Sequence, residues 1–304
     1  MAKKYNWAIL GCGNIAKKFS TELKDLPNAN LYATASRNIE NAQNFATEFG
    51  FQKAYGSYQE MVEDPKVDVV YIATPHNFHL EHSLLCLKHK KAVLCEKAFA
   101  INTKEVTQII KASKENNTFL MEAFWVLFRP KFKKVLELIK NEDLGKLKMV
   151  KSDFNFLGEY NPENRLFNID LGASSLLDVG IYPVFTSLML LGKPNQVKTI
   201  PQFSPTGSEE SITVFLGHEN GSTAILNSSF KSEYKNDVEL SFEKGYIKYD
   251  RFSNEPILMQ TTTKNTLISF DPGPNLGYQF EAQHVMECLD KHLIESPILP
   301  LSLS

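Results

Sequence analysis

The stretch YNWAILGCGNIAKKF, residues 5–19, decides the fold of the N-terminal half of the chain. Its first six residues are almost all apolar and predict a buried strand. After a turn, Ile15, Phe19 and Leu23 recur at every fourth position, which places them along one face of a helix. A strand, a glycine-rich turn and a helix in direct succession are typical of the opening of a βαβ unit.

The turn carries the motif GxGxxA at residues 11–16. In this setting Gly11 permits the tight turn, Gly13 lets the backbone approach a pyrophosphate, and Ala16 allows the helix to pack close to the strand. The first N–H groups of the helix then face the phosphates, whose charge the helix dipole stabilises. An incidental turn is the alternative, but the strand before it and the helix after it favour a dinucleotide site.

The same alternation continues to about residue 122. Amphipathic helical patterns are interleaved with apolar strands at 31–36, 67–74, 92–97 and 118–123. Ser57 and Glu60 have the spacing of a capping box at the start of one helix. We therefore predict a Rossmann dinucleotide-binding domain over residues 1–122, built on a doubly wound parallel sheet.

From residue 123 the pattern changes to strands separated by turn signals such as Glu-Asn-Gly at 219–221. Helical patterns accompany these strands at about 130–140, 176–191 and 278–293. We predict a second domain over residues 123–304 that binds substrate and forms the oligomer. It is expected to be an α+β domain with a large, mostly antiparallel open sheet, so that the whole chain is an α/β protein.

The end of the second predicted strand bears on the choice of dinucleotide. Sites that prefer NAD place Asp or Glu about 20 residues after the glycines, where it holds the ribose 2′-hydroxyl. This chain has Ser36, Arg37 and Asn38 there instead. Arg37 is suited to a 2′-phosphate, and Ser36 or Asn38 to a hydrogen bond with it. A solvated loop arginine is the alternative, yet the missing acidic residue favours NADP over NAD.

A loop with the sequence TPHN, residues 74–77, follows another strand of the predicted parallel sheet. It lies at the edge where such sheets bind their ligands, and we expect it to line the nicotinamide pocket. His76, His79 and His82 recur every three residues from this loop onwards. No cysteine or carboxylate cluster completes a metal site around them, so we predict no metal.

Glu96 and Lys97 follow the next strand at the same edge. A lysine there is often a solvated charge at the start of a helix, but beside a nicotinamide it is a candidate for catalysis. The predicted cofactor contacts are Gly11, Cys12, Gly13, Asn14, Ile15, Ser36, Arg37, Asn38, Ala73, Thr74, Pro75, His76, Asn77, His79, Glu96 and Lys97.

Composition limits the possible functions. The 304 residues are 43% hydrophobic and 22% charged, which suffices for sizeable cores. A net charge of −2 gives no basic field for nucleic acid or an anionic membrane, and no apolar run approaches the ~20 residues that span a bilayer. The four cysteines form no CxxC pair, and the N-terminus enters a strand without a signal peptide. We therefore expect a soluble protein of the reducing cytoplasm.

The motifs GCGNIA, SRN, TPHNFH, CEKAFA and SSLLDVGIYP occur in one order along the chain. In this order the whole chain resembles the glucose–fructose oxidoreductase and inositol dehydrogenase family. The resemblance is nearest to the branch of dimeric dihydrodiol dehydrogenases and NADP-dependent xylose dehydrogenases. It implies hydride transfer between NADP and a hydroxyl or carbonyl carbon of a sugar, polyol or trans-dihydrodiol. One departure is Ala98, which stands where the family's Glu-Lys-Pro motif has proline.

The resemblance also implies the site residues. Lys97 matches the lysine of the Glu-Lys-Pro motif. Asp178 and Tyr182 match an aspartate and, four residues on, a histidine or tyrosine of the family's substrate domain. Arg37 matches the arginine that the NADP-using branch places at its 2′-phosphate. The segment EAFWVLFRP, 122–130, resembles the one that lines the family's cleft, and we place the substrate pocket at Trp125, Arg129, Phe154 and Arg165.

These residues suggest a mechanism. Oxidation of an alcohol needs a base, and a free tyrosine with a pKa of about 10 is too weak near neutral pH. A nearby Lys97 cation is expected to favour tyrosinate at Tyr182. Asp178 shares a face with Tyr182 if the segment is helical, or lies near the helix start if Pro183 is in the first turn. In either case we expect it to hold a substrate hydroxyl or to position Lys97. A helix cap and a packed aromatic are the alternatives for Asp178 and Tyr182.

The main alternative function is a non-catalytic NADP-sensing regulatory or scaffold protein, because its predicted fold is the same. A second is an aldose oxidoreductase that retains its cofactor between two half-reactions. The alternating apolar residues Ile212, Val214 and Leu216 require burial, and two-fold pairing is the commonest form of assembly. We therefore predict a homodimer joined through the C-terminal sheet.

Overall fold

The computed structural model describes residues 3–233 and 236–304, which divide into two compact units. The first unit contains the residues up to Phe128 together with Pro274–Ser304, and the second contains Arg129–Gly273. The sequence predicts a boundary after residue 122 and a second domain that runs to residue 304. In the structure the polypeptide instead returns to the first unit for its last segment.

The first unit is built on a six-stranded parallel sheet with the order β3-β2-β1-β4-β5-β6. Its strands are β1 (Tyr5–Leu10), β2 (Ala29–Ala35), β3 (Lys53–Tyr55), β4 (Val69–Ile72), β5 (Ala92–Glu96) and β6 (Leu120–Ala123). The strand order reverses beside β1, between β2 and β4, which is the arrangement of a Rossmann fold. The predicted parallel sheet is confirmed.

Helices of the first unit cover both faces of this sheet. Numbered along the whole chain, they are α1 (Asn14–Leu23), α2 (Ile39–Phe49), α3 (Tyr58–Glu63), α4 (His79–Lys88), α5 (Thr103–Asn116) and α8 (Tyr278–Asp290). Because the sheet is covered on both faces, all residues of β4 and β5 are buried, as their continuous apolar runs predict. The helix α3 begins after Ser57, but no side-chain hydrogen bond caps it, so the predicted capping box is wrong.

Glu22, near the end of α1, fixes the returning C-terminal segment. Its carboxylate accepts the backbone N–H groups of Leu276, Gly277 and Gln279, at 2.9, 3.0 and 3.1 Å. These N–H groups lie at the start of α8, where a helix leaves its first donors without intrahelical acceptors and favours a negative charge. A buried carboxylate on α1 therefore caps α8 and joins the last segment to the first unit.

The second unit contains an eight-stranded sheet with the order β14-β13-β12-β11-β7-β10-β9-β8. Its strands are β7 (Leu147–Asn155), β8 (Gln196–Phe203), β9 (Glu209–Gly217), β10 (Thr223–Ser229), β11 (Asp237–Phe242), β12 (Gly245–Asp250), β13 (Ile257–Thr261) and β14 (Asn265–Ile268). Only β7 and β10 pair in parallel, and the other neighbours are antiparallel. The prediction of a large, mostly antiparallel sheet is confirmed.

One face of this sheet packs against the helices α6 (Pro130–Leu138) and α7 (Ile181–Leu191). Ile212, Val214 and Leu216 point to this face and are buried in the core of the unit itself. Their alternation therefore serves the fold of one chain and carries no information about a partner.

Short turns of other kinds connect these elements. The 3₁₀ turns are His76–Phe78, Trp125–Phe128, Glu142–Leu144 and Ile169–Leu171, and a five-residue π turn spans Leu176–Gly180. No helix in residues 3–233 or 236–304 has the length and apolar character needed to cross a membrane.

Candidate active site

The turn between β1 and α1 has the shape that its glycines predict. Gly11 has a φ of +97°, and a Cβ atom there would lie 2.9 Å from Cγ2 of Thr74. A side chain at this position would therefore be strained and crowded. Gly13 precedes α1 and offers no side chain to its first N–H groups. The turn thus leaves the helix N-terminus open to an anion, as a bound pyrophosphate requires.

Cys12 lies in the same turn, but its thiol faces the sheet. Its Sγ is 3.2 Å from Oγ1 of Thr34 and 3.7 Å from the carbonyl oxygen of Ala35. Burial raises the pKa of this thiol above its ordinary value. The side chain of Cys12 is therefore a packing group, and only its backbone remains suited to a cofactor contact.

Arg37 lies between the end of β2 and the start of α2. Its guanidinium is exposed, with Cζ 5.8 Å from the centre of the Phe78 ring. The neighbouring Asn38 caps α2, because its Oδ1 accepts the N–H of Glu40 at 2.8 Å. Oγ of Ser36 accepts the N–H of Asn38 at 3.3 Å. The structure thus places a cation beside a helix N-terminus, and both favour a phosphate.

The histidines of the predicted 76–82 repeat have separate roles. His79 is 1% exposed, and its two ring nitrogens lie 2.8 Å from the carbonyl oxygens of Thr74 and Ala98. His82 approaches Oγ1 of Thr74 through Nδ1 at 3.0 Å. Burial is the main reason why the pKa of His79 falls to about 4. Within the described ranges no group of three or more His, Cys, Asp or Glu side chains is arranged to hold a metal ion.

Glu96 and Lys97 lie where β5 ends. The carboxylate of Glu96 is buried, and it accepts the hydroxyl of Tyr71 and the backbone N–H of Lys97, the latter at 3.2 Å. Burial is the largest effect on Glu96 and raises its pKa to about 7, although Lys97 and these hydrogen bonds act in the opposite direction. The peptide bond between Lys97 and Ala98 is cis.

Two other carboxyl groups of the first unit are also buried. Glu122 accepts the N–H of Phe99 at 3.1 Å and the hydroxyl of Ser304 at 2.7 Å. Glu281 is fully buried on α8, beside Glu96, and burial raises its pKa well above the ordinary value. Sequence analysis missed this acidic cluster, because glutamates in helical patterns are normally solvent-facing.

Trp125 also belongs to the first unit. Its ring stacks on Tyr278 of α8, with 4.8 Å between the ring centres. The predicted pocket residues are thus divided, because Trp125 lies in the first unit and the other three lie in the second.

In the second unit, Asp178 lies in the π turn that leads into α7 and Tyr182 lies in the first turn of α7. Pro183 follows as the third residue of this helix, where the missing N–H costs least. Gly180 packs closely on the sheet, since a Cβ atom there would lie 2.7 Å from Oγ of Ser228. Of the two arrangements left open by the sequence, Asp178 therefore lies just before the regular helix.

Four of the predicted site residues come together here in two contacts. Asp178 is buried, and its Oδ1 lies 3.0 Å from Nη1 of Arg165, whose side chain is 56% exposed. The ring of Tyr182 packs between those of Phe154 and Phe252, with centre distances of 5.4 and 5.7 Å. Apolar walls around a phenol, with a carboxylate one turn away, can hold a small molecule that carries hydroxyl groups.

Arg129 has a different environment from the one expected of a pocket residue. Its guanidinium is buried and donates to the carbonyl oxygens of Arg251 and Phe252, at 3.0 and 3.3 Å. Phe252 and Arg251 escaped sequence analysis, because they lie in a polar turn after a strand and show no periodicity. An Asp at position 250, two residues before Phe252, is the only local signal of an ordered turn.

Comparisons with known proteins agree with this fold. Residues 5–124 match the family model described as the oxidoreductase family with an NAD-binding Rossmann fold, GFO/IDH/MocA. Residues 132–248 match the model of the GFO/IDH/MocA C-terminal domain. The chain is 34% identical over 309 residues to the trans-1,2-dihydrobenzene-1,2-diol dehydrogenase of Xenopus laevis, with 97% of this chain and 92% of the relative covered.

Two solved structures share the fold. An aldose-aldose oxidoreductase from Caulobacter crescentus, complexed with glycerol, superposes with a TM-score of 0.88 at 24% identity, covering 99% of this chain and 93% of its own. A 3-ketoreductase from Actinomadura kijaniata, in complex with NADP and TDP-benzene, has a TM-score of 0.85 at 20% identity, covering 95% and 91%. The prediction that the chain is an NAD(P)-dependent dehydrogenase is confirmed. The chain belongs to the GFO/IDH/MocA family of oxidoreductases, in its dihydrodiol dehydrogenase branch.

Proposed function

We propose that the chain is an NADP-dependent dehydrogenase that oxidises a hydroxyl carbon of a sugar, polyol or trans-dihydrodiol. The observation that carries this proposal is the pairing of Asp178 with Arg165 one turn from Tyr182, inside an aromatic wall. Charged groups beside apolar rings are suited to a substrate that has both hydroxyl groups and an apolar face. The relative in Xenopus laevis is named for such a diol.

NADP is favoured over NAD by the end of β2. Arg37 and the start of α2 offer positive charge where a 2′-phosphate is expected, and no acidic side chain stands at positions 36–38 to repel it. The open N-terminus of α1 and the left-handed Gly11 fit the pyrophosphate of either dinucleotide. The bound cofactor supplies a nicotinamide that accepts or gives hydride.

The chain itself must move one proton for each hydride. We assign the proton of the substrate hydroxyl to the phenolate oxygen of Tyr182, and a bound nicotinamide would take up the hydride. Asp178, held by Arg165, accepts a hydrogen bond from a second hydroxyl and so orients the substrate. We also assign a catalytic role to Lys97 of the first unit, whose positive charge has the sign that favours a phenolate. In the reverse direction Tyr182 returns the proton to the carbonyl oxygen.

The experiment is NADP reduction, followed by absorbance, with a panel of aldoses, polyols and trans-dihydrodiols. Turnover is expected with at least one class, and its loss in Tyr182→Phe links it to this site. NADPH fluorescence titration of both proteins is the control for cofactor binding. Tight NADPH binding without turnover on any class, in the wild type as in the variant, contradicts the proposal and supports an NADP sensor.

A homodimer joined through the C-terminal sheet also belongs to this proposal. The face of the sheet that turns away from α6 and α7 carries exposed apolar side chains, among them Ile200, Phe215 and Leu267, which are 63%, 40% and 70% exposed. Covering these side chains with a second copy removes them from water and follows the commonest symmetry. We place the enzyme in the cytoplasm, where its four free thiols suit a reducing environment.

A further inference from the structure

Three cationic side chains of the second unit are buried around one loop. Arg129, Lys131 and Arg251 are 4%, 2% and 5% exposed, and all three contact or belong to residues 250–254, which we call the 250–254 loop. Burying a positive charge costs several kcal/mol unless hydrogen bonds and opposite charges compensate for it. Three such charges around one loop indicate that the protein holds the 250–254 loop in a fixed position.

Arg129 and Lys131 hold the loop from one side. Nη2 of Arg129 donates to Oδ1 of Asn254 at 3.1 Å, in addition to the two carbonyl oxygens described above. Nζ of Lys131 donates to the carbonyl oxygen of Asp250 at 2.9 Å and to Oγ of Ser253 at 3.3 Å. Burial lowers the pKa of Lys131 to about 8. Both cations therefore act on the backbone and polar side chains of the loop.

The loop also stabilises itself. Oδ1 of Asp250 accepts the backbone N–H groups of Phe252 and Ser253, at 2.7 and 2.6 Å. These bonds close a tight turn directly after β12. As a result the ring of Phe252 is fixed against Phe154 and Tyr182, with centre distances of 4.9 and 5.7 Å.

Arg251 differs from the other two cations because it donates its hydrogen bonds to β7 and not to the loop. Its guanidinium donates to the carbonyl oxygen of Asp153 at 3.1 Å and to the hydroxyl of Ser152, both of which are neutral acceptors on β7. Its Cζ lies 5.9 Å from the centre of the Phe252 ring, which in turn meets the Tyr182 ring edge to face. The Phe252 ring thus contacts both the guanidinium and the phenol that we propose as the base.

Burial lowers the pKa of the Arg251 guanidinium, and the titratable groups around it act in the opposite direction. Among them are Tyr249, Tyr182, Asp250 and Asp153. Arginine nevertheless stays protonated in proteins. Its charge is therefore permanent, buried and electrostatically coupled to Tyr182.

We propose that Arg251 is a positioning residue for Tyr182, whose buried cation stabilises the phenolate form and whose loop fixes the phenol ring through Phe252. This inference rests on the proposed role of Tyr182 as the base. It assigns the support of the phenolate to the second unit itself, in addition to the role proposed for Lys97. Coulomb attraction in a poorly solvated environment is strong enough to matter between two groups that contact the same ring.

Titration of Tyr182 by NMR in protein labelled with ¹³C at tyrosine Cζ tests the proposal without any substrate. The chain has 11 tyrosines, and Tyr182→Phe identifies the resonance. In Arg251→Gln the Tyr182 midpoint is expected to rise by about one pH unit or more. An unchanged midpoint in Arg251→Gln overturns the proposal.

Lys131→Met is the matched control, because it loosens the 250–254 loop without removing the charge that faces Tyr182. It is expected to lower the free energy of unfolding and to leave the Tyr182 midpoint unchanged. An equal shift in Lys131→Met assigns the effect to loop position and overturns the electrostatic role. Arg251→Met keeps a long side chain without the charge and serves as the second variant if Arg251→Gln does not fold, and an unchanged Tyr182 midpoint in it overturns the proposal.

The kinetic readout is separate from the titration. If turnover is found, the rising limb of the pH–rate profile for alcohol oxidation is expected to move to higher pH in Arg251→Gln, by the same amount as the NMR midpoint. A shifted midpoint in a protein without turnover supports Arg251 and contradicts the proposed function. An unshifted midpoint in an active enzyme contradicts the role of Arg251 and supports the proposed function.

Discussion

Replacing Glu96 with glutamine removes a buried carboxyl group whose ionisation is linked to folding. The pKa of Glu96 is about 7 in the folded chain and 4.5 ordinarily, with burial as the main cause. Between these two pH values the folded state therefore binds more protons than the unfolded state. The contribution of Glu96 is most favourable below pH 4.5 and declines as the pH rises to 7. A difference of about 2.5 pKa units corresponds to a loss of about 3 kcal/mol.

Glutamine cannot ionise, so Glu96→Gln is expected to remove this decline. The amide keeps an acceptor for the hydroxyl of Tyr71 but presents N–H₂ to the N–H of Lys97, which costs about 1 kcal/mol at every pH. The variant is thus expected to be less stable than the wild type by about 1 kcal/mol at pH 4.5 and more stable by about 2 kcal/mol at pH 8. The two stability curves are expected to cross near pH 5.

Urea unfolding followed by tryptophan fluorescence measures this directly. The chain has two tryptophans, Trp7 and Trp125, and both lie in the first unit with Glu96. Glu287→Gln on α8 is the control, because this side chain is exposed and its curve is expected to run parallel to that of the wild type. A constant difference between Glu96→Gln and the wild type from pH 4.5 to pH 8 would refute the linkage.

Arg37→Ala is expected to weaken the binding of NADP ten- to a hundred-fold more than the binding of NAD, because it removes a charge-assisted contact worth about 1.5–3 kcal/mol. Equal weakening of both dinucleotides in calorimetry excludes discrimination by Arg37. Tyr182→Phe is expected to lower turnover by roughly 10²–10⁴ at unchanged NADPH affinity. The double mutant Tyr182→Phe with Lys97→Met is expected to lose less turnover than the product of the two single losses. Near-normal turnover in Tyr182→Phe rejects Tyr182 as the base. Light scattering at micromolar concentration is expected to give the mass of a dimer, and a monomeric mass contradicts the proposed sheet contact. Glu22→Ala is expected to lower the free energy of unfolding of the first unit by about 2 kcal/mol, measured in urea. The control Thr21→Ala, at the exposed neighbouring residue, is expected to change it little. Equal losses in the two variants argue against the cap on α8.

The Rossmann half of the fold could be predicted because its signals are local. β1 occupies Tyr5–Leu10, the residues that its apolar run indicates, and Gly11 adopts the positive φ expected of the first glycine. The helix after Ser57 was also predictable, but its capping box was not, since the spacing of two residues does not determine whether their side chains turn to the backbone.

The site could be predicted only in part, because much of it depends on contacts between distant segments. Asp178 and Tyr182 were found through the resemblance of the chain to a family, while the π turn that contains Asp178 has no sequence signature. The cations around the 250–254 loop bind mainly backbone carbonyl groups, which every residue carries. Glu281 is an acidic residue that is fully buried, so hydrophobic periodicity could not place it in the core.

During synthesis of the chain, the carboxylate of Glu22 is made long before the backbone N–H groups that it binds. It lies within the first 128 residues, but the N–H groups that it accepts belong to residues 276–279, which are translated after the entire second unit. In a nascent chain that ends before α8, the carboxylate of Glu22 therefore lacks these N–H donors, and the surface of α1 that α8 covers is exposed. The nucleotide-binding unit reaches its full stability only once the ribosome has added the last segment, so cofactor binding on the ribosome is expected to begin late.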